Sequence, residues 1–252
     1  MTLNCHQSVG SERDVEHPQA NDGGPWLLAL DTSTEQAGIA LFDGVSVFEQ
    51  SWAARRNQTV SLLVEIDHFL TLAGLTVKNL ARLAVATGPG TFNGLRVAMG
   101  IAKGLVLALD VPLIGVPTLD TAALPFRATG LATVAILAAG RNRLVWSIYH
   151  PADGAEEWIA QTPPQNGAIA DLCRVLATQP GPLLLTGELS VDQEAQIADL
   201  AGIHLLPRSL RGRRPAALAQ LAWERFQRGE SDDPATLEPV YLHAPARPVP
   251  ME

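Results

Sequence analysis

Cysteine is almost missing from this chain. Cys5 and Cys173 are the only two in 252 residues, too few and too far apart for a disulfide framework, so packing rather than covalent staples must hold the fold. Cys173, in the run from Ala170 to Leu176, reads as a small buried apolar residue. A reducing compartment suits this usage. No apolar run reaches the roughly 20 residues that a bilayer-spanning helix needs. The first 25 residues carry Ser11, Glu12, Arg13, Asp14, Glu16, His17 and Asp22 in place of a hydrophobic region, which excludes a secretory signal and reads as a disordered extension. Positive charge is also short. The formal net charge is -8, so the chain as a whole does not gather a polyanion, because phosphate-backbone affinity rests on Lys and Arg. The local cluster Arg208, Arg211, Arg213 and Arg214 reads as a solvated loop before a helix. The expected setting is cytoplasmic, with no membrane contact.

The chemistry that is missing narrows the function. A phosphate-binding P-loop needs GxxxxGK[ST], but Asn93 and Leu95 stand five positions after Gly88 and Gly90, and there is no Lys. Gly88, Gly90 and Gly94 space as GxGxxxG rather than as the dinucleotide fingerprint GxGxxG, although they lie between a strand and a helix. The six histidines, His6, His17, His68, His150, His204 and His243, make no HxxxH or HExxH pair and join no Cys at ligand spacing. His68, after Asp67 on a helix, reads as a surface residue. GxSxG is absent, which removes the nucleophile elbow of a serine hydrolase.

What remains is a strong α/β pattern. Residues 26–30 (WLLAL) form a short apolar run closing on Asp31, as a buried strand does. A second strand is expected at 37–42 and a third at 45–52, joined by the hairpin signal Asp43-Gly44. Apolar spacing predicts a helix over 59–73, with Gly74 at its C-terminal cap. A strand at 83–86, a helix from about Phe92 to Leu109 and a strand at 113–116 complete a first lobe, βββαβαβ. Pro117 and Thr118 mark a boundary, and Thr118 can cap a helix over 119–124. The second lobe repeats the outline. Strands are expected near 131–137, 143–149 and 155–160, a helix near 166–178, a strand at 183–186 and a helix near 190–201. A last helix spans 214–228, with Pro215 in its first turn and Gly229 after its end. The divisions are therefore 1–25, 26–117, 118–213, 214–243 (a helix and strand returning to the first lobe) and a tail, 244–252. Similar lobes suggest a duplication, though no sequence repeat proves it.

Two segments carry the distinctive signal. In the first hairpin turn, Asp31, Thr32, Ser33 and Thr34 pair a strand-end carboxylate with three hydroxyls. Such a turn can hold phosphate or magnesium through water, or it can be an Asx turn with polar caps. The turn Gly88-Pro89-Gly90-Thr91 opens the helix at Phe92. Its amides at a helix N-terminus could hold an anion, or its glycines could simply permit the bend. The helix itself bears two series of small residues, Gly94, Ala98, Ala102 and Gly100, Gly104, Ala108. At about 100° per residue these fall on different faces. Gly inside a helix costs roughly 0.5–1 kcal/mol relative to Ala, so close neighbours are expected on both sides. One is the helix's own sheet, and the other is a partner subunit or the second lobe.

The combination LALDTST (28–34), TGPGTFNGLR (87–96), PLIGVPTLD (112–120) and EPVYL (238–242) resembles the TsaB family from Trp26 to Leu242. That family belongs to the actin/sugar kinase/Hsp70 (ASKHA) superfamily. The resemblance implies an α/β, two-lobed actin-like ATPase (ribonuclease H-like) fold with a mixed βββαβα sheet in each lobe. It also implies a non-catalytic partner of TsaD, the catalytic subunit that moves a threonylcarbamoyl group from threonylcarbamoyl-AMP to the adenosine next to the tRNA anticodon. TsaE, an ATPase, is the further expected partner, with tRNA reached through the complex and a homodimer formed when the chain is alone. No cofactor is expected to bind tightly to this chain, and ATP, ADP or magnesium belong at the level of the complex. The helix at 92–109 is expected to meet TsaD through Gly94, Ala98 and Ala102, rimmed by Arg96 and Lys103, with Gly100, Gly104 and Ala108 turned to its own sheet. The sequence departs from the family pattern GPGSFTGxR at Thr91 and Asn93. It also departs at Gln58-Thr59-Val60, where His-Ser-Glu is frequent, and at Ala138-Ala139-Gly140-Arg141, where Asp-Ala-Arg is frequent. A small-molecule kinase of the same superfamily is the alternative, and of its requirements the chain offers only Asp31.

Overall fold

The computed structural model describes residues 26–54, 58–151, 159–160 and 163–241. The expectations for 1–25 and 244–252 lie outside those residues, as do the side chains of Gln58, Thr59 and Val60.

The chain opens with β1 (Trp26–Asp31), β2 (Gln36–Phe42) and β3 (Val47–Ala53), followed by α1 (Gln58–Leu72), β4 (Leu80–Gly88), α2 (Phe92–Leu109) and β5 (Leu113–Pro117). The β2–β3 hairpin closes where Asp43 Oδ1 accepts the amides of Val45 and Ser46 at 2.8 and 2.6 Å, and where Gly44 takes φ +94°. The resulting sheet has the order β3-β2-β1-β4-β5. β1 to β3 pair antiparallel, while β4 and β5 run parallel to β1.

α3 (Thr118–Ala123) leads into a second sheet made from β6 (Ala132–Ala138), β7 (Leu144–His150), β8 (Ile159–Ala160), β9 (Gln165–Gly167), β10 (Leu183–Gly187) and β11 (Ile203–Leu205). α4 (Ile169–Ala177) and α5 (Val191–Ala198) lie between these strands, and α6 (Pro215–Gln227) follows them. The order is β11-β10-β6-β7-β8, with β9 also on β7. With β6, β7, β8, β10 and β11 read as first to fifth, this is the order of the first sheet, so the duplication that no repeat proves is present in the topology. β11 was not expected, and Thr118 does not cap α3. The cap position is Pro117, and the buried Thr118 hydroxyl has no partner among the described residues.

Side-chain size explains how the layers stack. Along β1, alternate residues face opposite sides of the sheet. Trp26, Leu28 and Leu30 join Ile39, Leu41, Leu83 and Val85 under α1 and α2. Leu27 and Ala29 join Ala40, Ala84 and Ala86 beneath α6, which contributes Leu218, Ala219 and Ala222. The large-residue face packs two helices, and the alanine-rich face admits one helix close to the backbone. Each fully buried leucine contributes roughly 1.5–3 kcal/mol, and Leu27, Leu28 and Leu30 are all 0% exposed. In the second lobe α4 and α5 cover one face, and α3 covers the other beside Tyr149. The helices cross over between lobes: α3 follows the first sheet but packs on the second, α6 follows the second but packs on the first, and the two touch. Two lobes joined this way make the actin-like α/β fold.

α2 is the one helix among the described residues long and apolar enough to cross a membrane. Its Leu95, Ala98, Met99 and Ala102 are buried and it packs against β4, so it serves as a core helix of the first lobe.

Candidate functional site

The turn after β1 sits where the lobes meet. Asp31, Thr32, Ser33 and Thr34 are all buried, at no more than 3% exposure. Asp31 Oδ1 accepts the amide and hydroxyl of Ser33 at 2.9 and 2.5 Å, an Asx turn. Asp31 Oδ2 accepts Arg213 Nε at 2.9 Å. The same guanidinium donates through Nη1 to Glu188, and through Nη2 to Thr34 Oγ1 and the Gln36 carbonyl, both at 2.8 Å. Glu188 Oε1 also accepts the Thr34 hydroxyl at 2.5 Å, and its Oε2 accepts the Ala138 amide at 3.1 Å. Glu188 follows β10 in the second lobe, so Arg213 bolts the lobes together through carboxylates of both. Burial acts to lower the Arg213 pKa, but Asp31 and Glu188 outweigh it and hold the guanidinium above its ordinary value. Both carboxylate oxygens of Asp31 are thus hydrogen-bonded within the protein.

The turn Gly88-Pro89-Gly90-Thr91 closes on the same hairpin. Thr91 N donates to the Ser33 carbonyl at 2.6 Å, Thr32 Oγ1 donates to the Gly94 carbonyl at 2.6 Å, and Gly94 N donates to Thr91 Oγ1 at 3.3 Å. Gly88 has φ +110°, and a Cβ there would collide with the Val240 carbonyl. The Thr91 amide thus docks the two turns, and the Gly94 amide, inside α2, is taken by the helix cap.

The reading of the arginine cluster as a solvated loop is corrected. Arg213 is 4% exposed and Arg211 5%, while Arg208 is exposed and Arg214 pairs with Glu49. Arg208 donates to Glu194 from Nε and Nη2, and Arg211 Nη2 donates to Glu194 Oε1 at 2.5 Å. The Arg208 bonds lead in holding the Glu194 carboxyl below its usual range. Arg211 Nε and Nη1 have no acceptor among the described residues. An unsatisfied buried donor costs about 1–3 kcal/mol. Both arginines border a cleft of about 900 Å³ between the lobes, with Trp52 and Ala53 on one wall and Asn142, Arg143, Leu189 and Gln193 on the other. Sequence reading missed Arg213 and Glu188 because their partners are remote: Arg213 and Asp31 are 182 positions apart.

The faces of α2 are reversed from expectation. Gly94, Ala98 and Ala102 are buried. A Cβ on Gly94 would collide with the Thr32 carbonyl, so Gly is required there by close backbone approach. Gly100 and Gly104 have nothing within 4 Å of a built Cβ, and with Ala108 they are exposed. The reason is the offset between the series: Leu95 and Met99, one residue after Gly94 and Ala98, extend the inner face into the core. Arg96 is exposed and Lys103 half-buried. At the helix start, Arg96 lies 4.0 Å over the Phe92 ring and donates to Tyr241 Oη at 3.0 Å. Among the described residues no group of His, Cys, Asp and Glu could hold a metal ion. Cys173 is part-buried, and burial pushes its thiol pKa up.

Comparison with known proteins places this geometry in a family. The family model described as TsaD, tRNA N6-adenosine threonylcarbamoyltransferase, matches residues 52–161. The tRNA threonylcarbamoyladenosine biosynthesis protein TsaB of Bacillus subtilis is 28% identical over 219 residues, covering 86% of this chain and 93% of that protein. The Escherichia coli protein of the same name is 35% identical over 49% of this chain and 54% of its own length. An uncharacterized protein of Mycobacterium tuberculosis is 31% identical over 88% of this chain and 94% of that one. The solved structure of YeaZ from Pseudomonas aeruginosa superposes with a TM-score of 0.71 at 26% identity, covering 86% of this chain and all of the other. On these likenesses over most of its length, this chain belongs to the TsaB/YeaZ family of tRNA threonylcarbamoyladenosine biosynthesis proteins.

Proposed function

We propose that this chain is the non-catalytic partner subunit of the complex that transfers a threonylcarbamoyl group from threonylcarbamoyl-AMP to the adenosine beside the tRNA anticodon, and that it scaffolds and activates TsaD. The observation that carries this reading is the uncovered outer face of α2. Gly100, Gly104 and Ala108 form a groove of small residues, and Leu107 beside them is 88% exposed. α1 packs alongside and leaves Leu63, Val64 and Leu72 exposed. Small side chains set a short interaxial distance between helices, and contiguous exposed apolar surface marks an interaction site. Without TsaD the same face closes on a second copy, as an isologous dimer. TsaE and tRNA join at the level of the complex, in the cytoplasm, as do ATP or ADP and magnesium. The internal Asp31–Arg213 pair argues against the alternative, a small-molecule kinase.

The test is co-purification with TsaD from the same organism, followed by the modification assay on the reconstituted mixture. TsaD is expected to be retained and its activity raised only when this chain is present. Equal TsaD activity with and without this chain would sink the reading, as would ATP turnover by this chain alone.

A further inference from the structure

The interlobe cleft holds a charge that the fold does not use. Arg208 and Arg211 share one carboxylate, Glu194, so two guanidinium groups against one acid leave one positive charge on the second-lobe wall. Arg211 makes one of its hydrogen bonds there, and its Nε and Nη1 are buried without an acceptor among the described residues. Arg213, two positions on, is bound at every nitrogen, so the deficit at Arg211 is not a general feature of this loop. Arg143, exposed and hydrogen-bonded to Asn166, borders the same wall. Opposite stand Trp52 and Ala53. The acids of the cleft lie elsewhere: Glu188 is bonded to Arg213, Thr34 and Ala138, and Glu35 is on the first-lobe side.

We propose that this cleft binds a small anionic molecule whose phosphate or carboxylate group is held by Arg211 and Arg143, with its apolar part against Trp52. The anchoring point differs from a magnesium–phosphate site on the first hairpin, since Asp31 is paired with Arg213 and the hydroxyls of Thr32 and Ser33 are bonded within the protein. A buried guanidinium nitrogen without an acceptor among the described residues can donate to an oxygen of either anion, and a charged acceptor makes such a bond strong. The proposal stands apart from association with TsaD, because the cleft and the outer face of α2 are built from different residues.

Calorimetric titration of the full chain with sodium phosphate, and separately with sodium acetate, at ionic strength matched by sodium chloride tests this. Saturable binding is expected in at least one arm, and the arm that responds identifies the chemical class. Arg211→Gln is expected to weaken it roughly tenfold or more with an unchanged circular dichroism spectrum. Arg174→Gln, a cation on α4 paired with Asp171, should leave it unaltered. If Arg211→Gln does not fold, Arg143→Gln decides, with weaker binding supporting the site. No saturable heat in either arm overturns the proposal, and so does undiminished binding in the folded Arg211→Gln variant or, in its place, in Arg143→Gln.

Discussion

The two lobes share one strand order and differ in what they do with the same step of it. Between β4 and β5 the first lobe carries α2, 18 residues long, with an inner face in the core and an outer face left bare. Between β10 and β11 the second lobe carries α5, 8 residues long and closed at its start by a Ser190–Gln193 capping box. The longer helix offers surface for association. The shorter one places Gln193 at the interlobe cleft, and its Glu194 holds Arg208 and Arg211, which border that cleft. A repeated topology thus sets where a helix lies, and its length and small-residue pattern set whether it leaves an outer face bare or borders a cleft.

The sharpest way to break the comparison is to cut the joint between lobes. Arg213→Met leaves the buried Asp31 and the part-buried Glu188 without their cation. A loss of about 3–5 kcal/mol is expected, the cost of orphaning one side of a buried pair. Urea denaturation measures it. A loss below about 1 kcal/mol, the value of a solvent-exposed pair, would mean that the lobes are held by the α3–α6 packing alone.

The second test separates the faces of α2. Gly94→Val forces a side chain into the Thr32 carbonyl and is expected to cost the isolated chain about 1–3 kcal/mol or more. Gly104→Trp meets open space and should shift stability by no more than about 0.5 kcal/mol, while abolishing TsaD retention. Thermal melts and co-purification on the same pair of variants read both effects. A destabilised Gly104→Trp monomer, or one that still binds TsaD, would break the assignment of the outer face.

The smallest expected effect lies in the second lobe, where Tyr149 Oη donates to Asp120 Oδ1 at 2.6 Å. Burial raises the Asp120 pKa above 3.8, against the lowering effect of that bond. An acid whose folded pKa is raised contributes stability that is complete below the unfolded value and is lost as pH climbs through the folded one. Asp120→Asn keeps an Oδ1 acceptor and removes the charge. The variant is expected to match the wild type at acid pH and to exceed it modestly at neutral pH. Melts across that range check the sign, and a variant less stable at neutral pH would reverse it.

The elements themselves were readable because they are local. A short apolar run marked β1, the Asp43-Gly44 turn marked the β2–β3 hairpin, and the glycines at Gly74 and Gly229 ended α1 and α6 in the left-handed region, with φ of +70° and +76°. The small-residue series on α2 was visible, but its direction was not. Both series are equally small, and only the placement of Leu95 and Met99 against the sheet decides which is inside.

By itself, then, the sequence determined the main strands and helices other than the short β9 and β11, and the family motifs, since propensity, apolar period and turn chemistry act over a few residues. Tertiary structure alone decided that Arg213 is a buried bolt between lobes, that the Asp31 turn is sealed from within, that α3 and α6 exchange sheets, and that two nitrogens of Arg211 find no acceptor among the described residues. Each of these depends on groups far apart along the chain. Whether an arginine is solvated or buried turns on which carboxylates the folded lobes bring to it, and no local pattern carries that information.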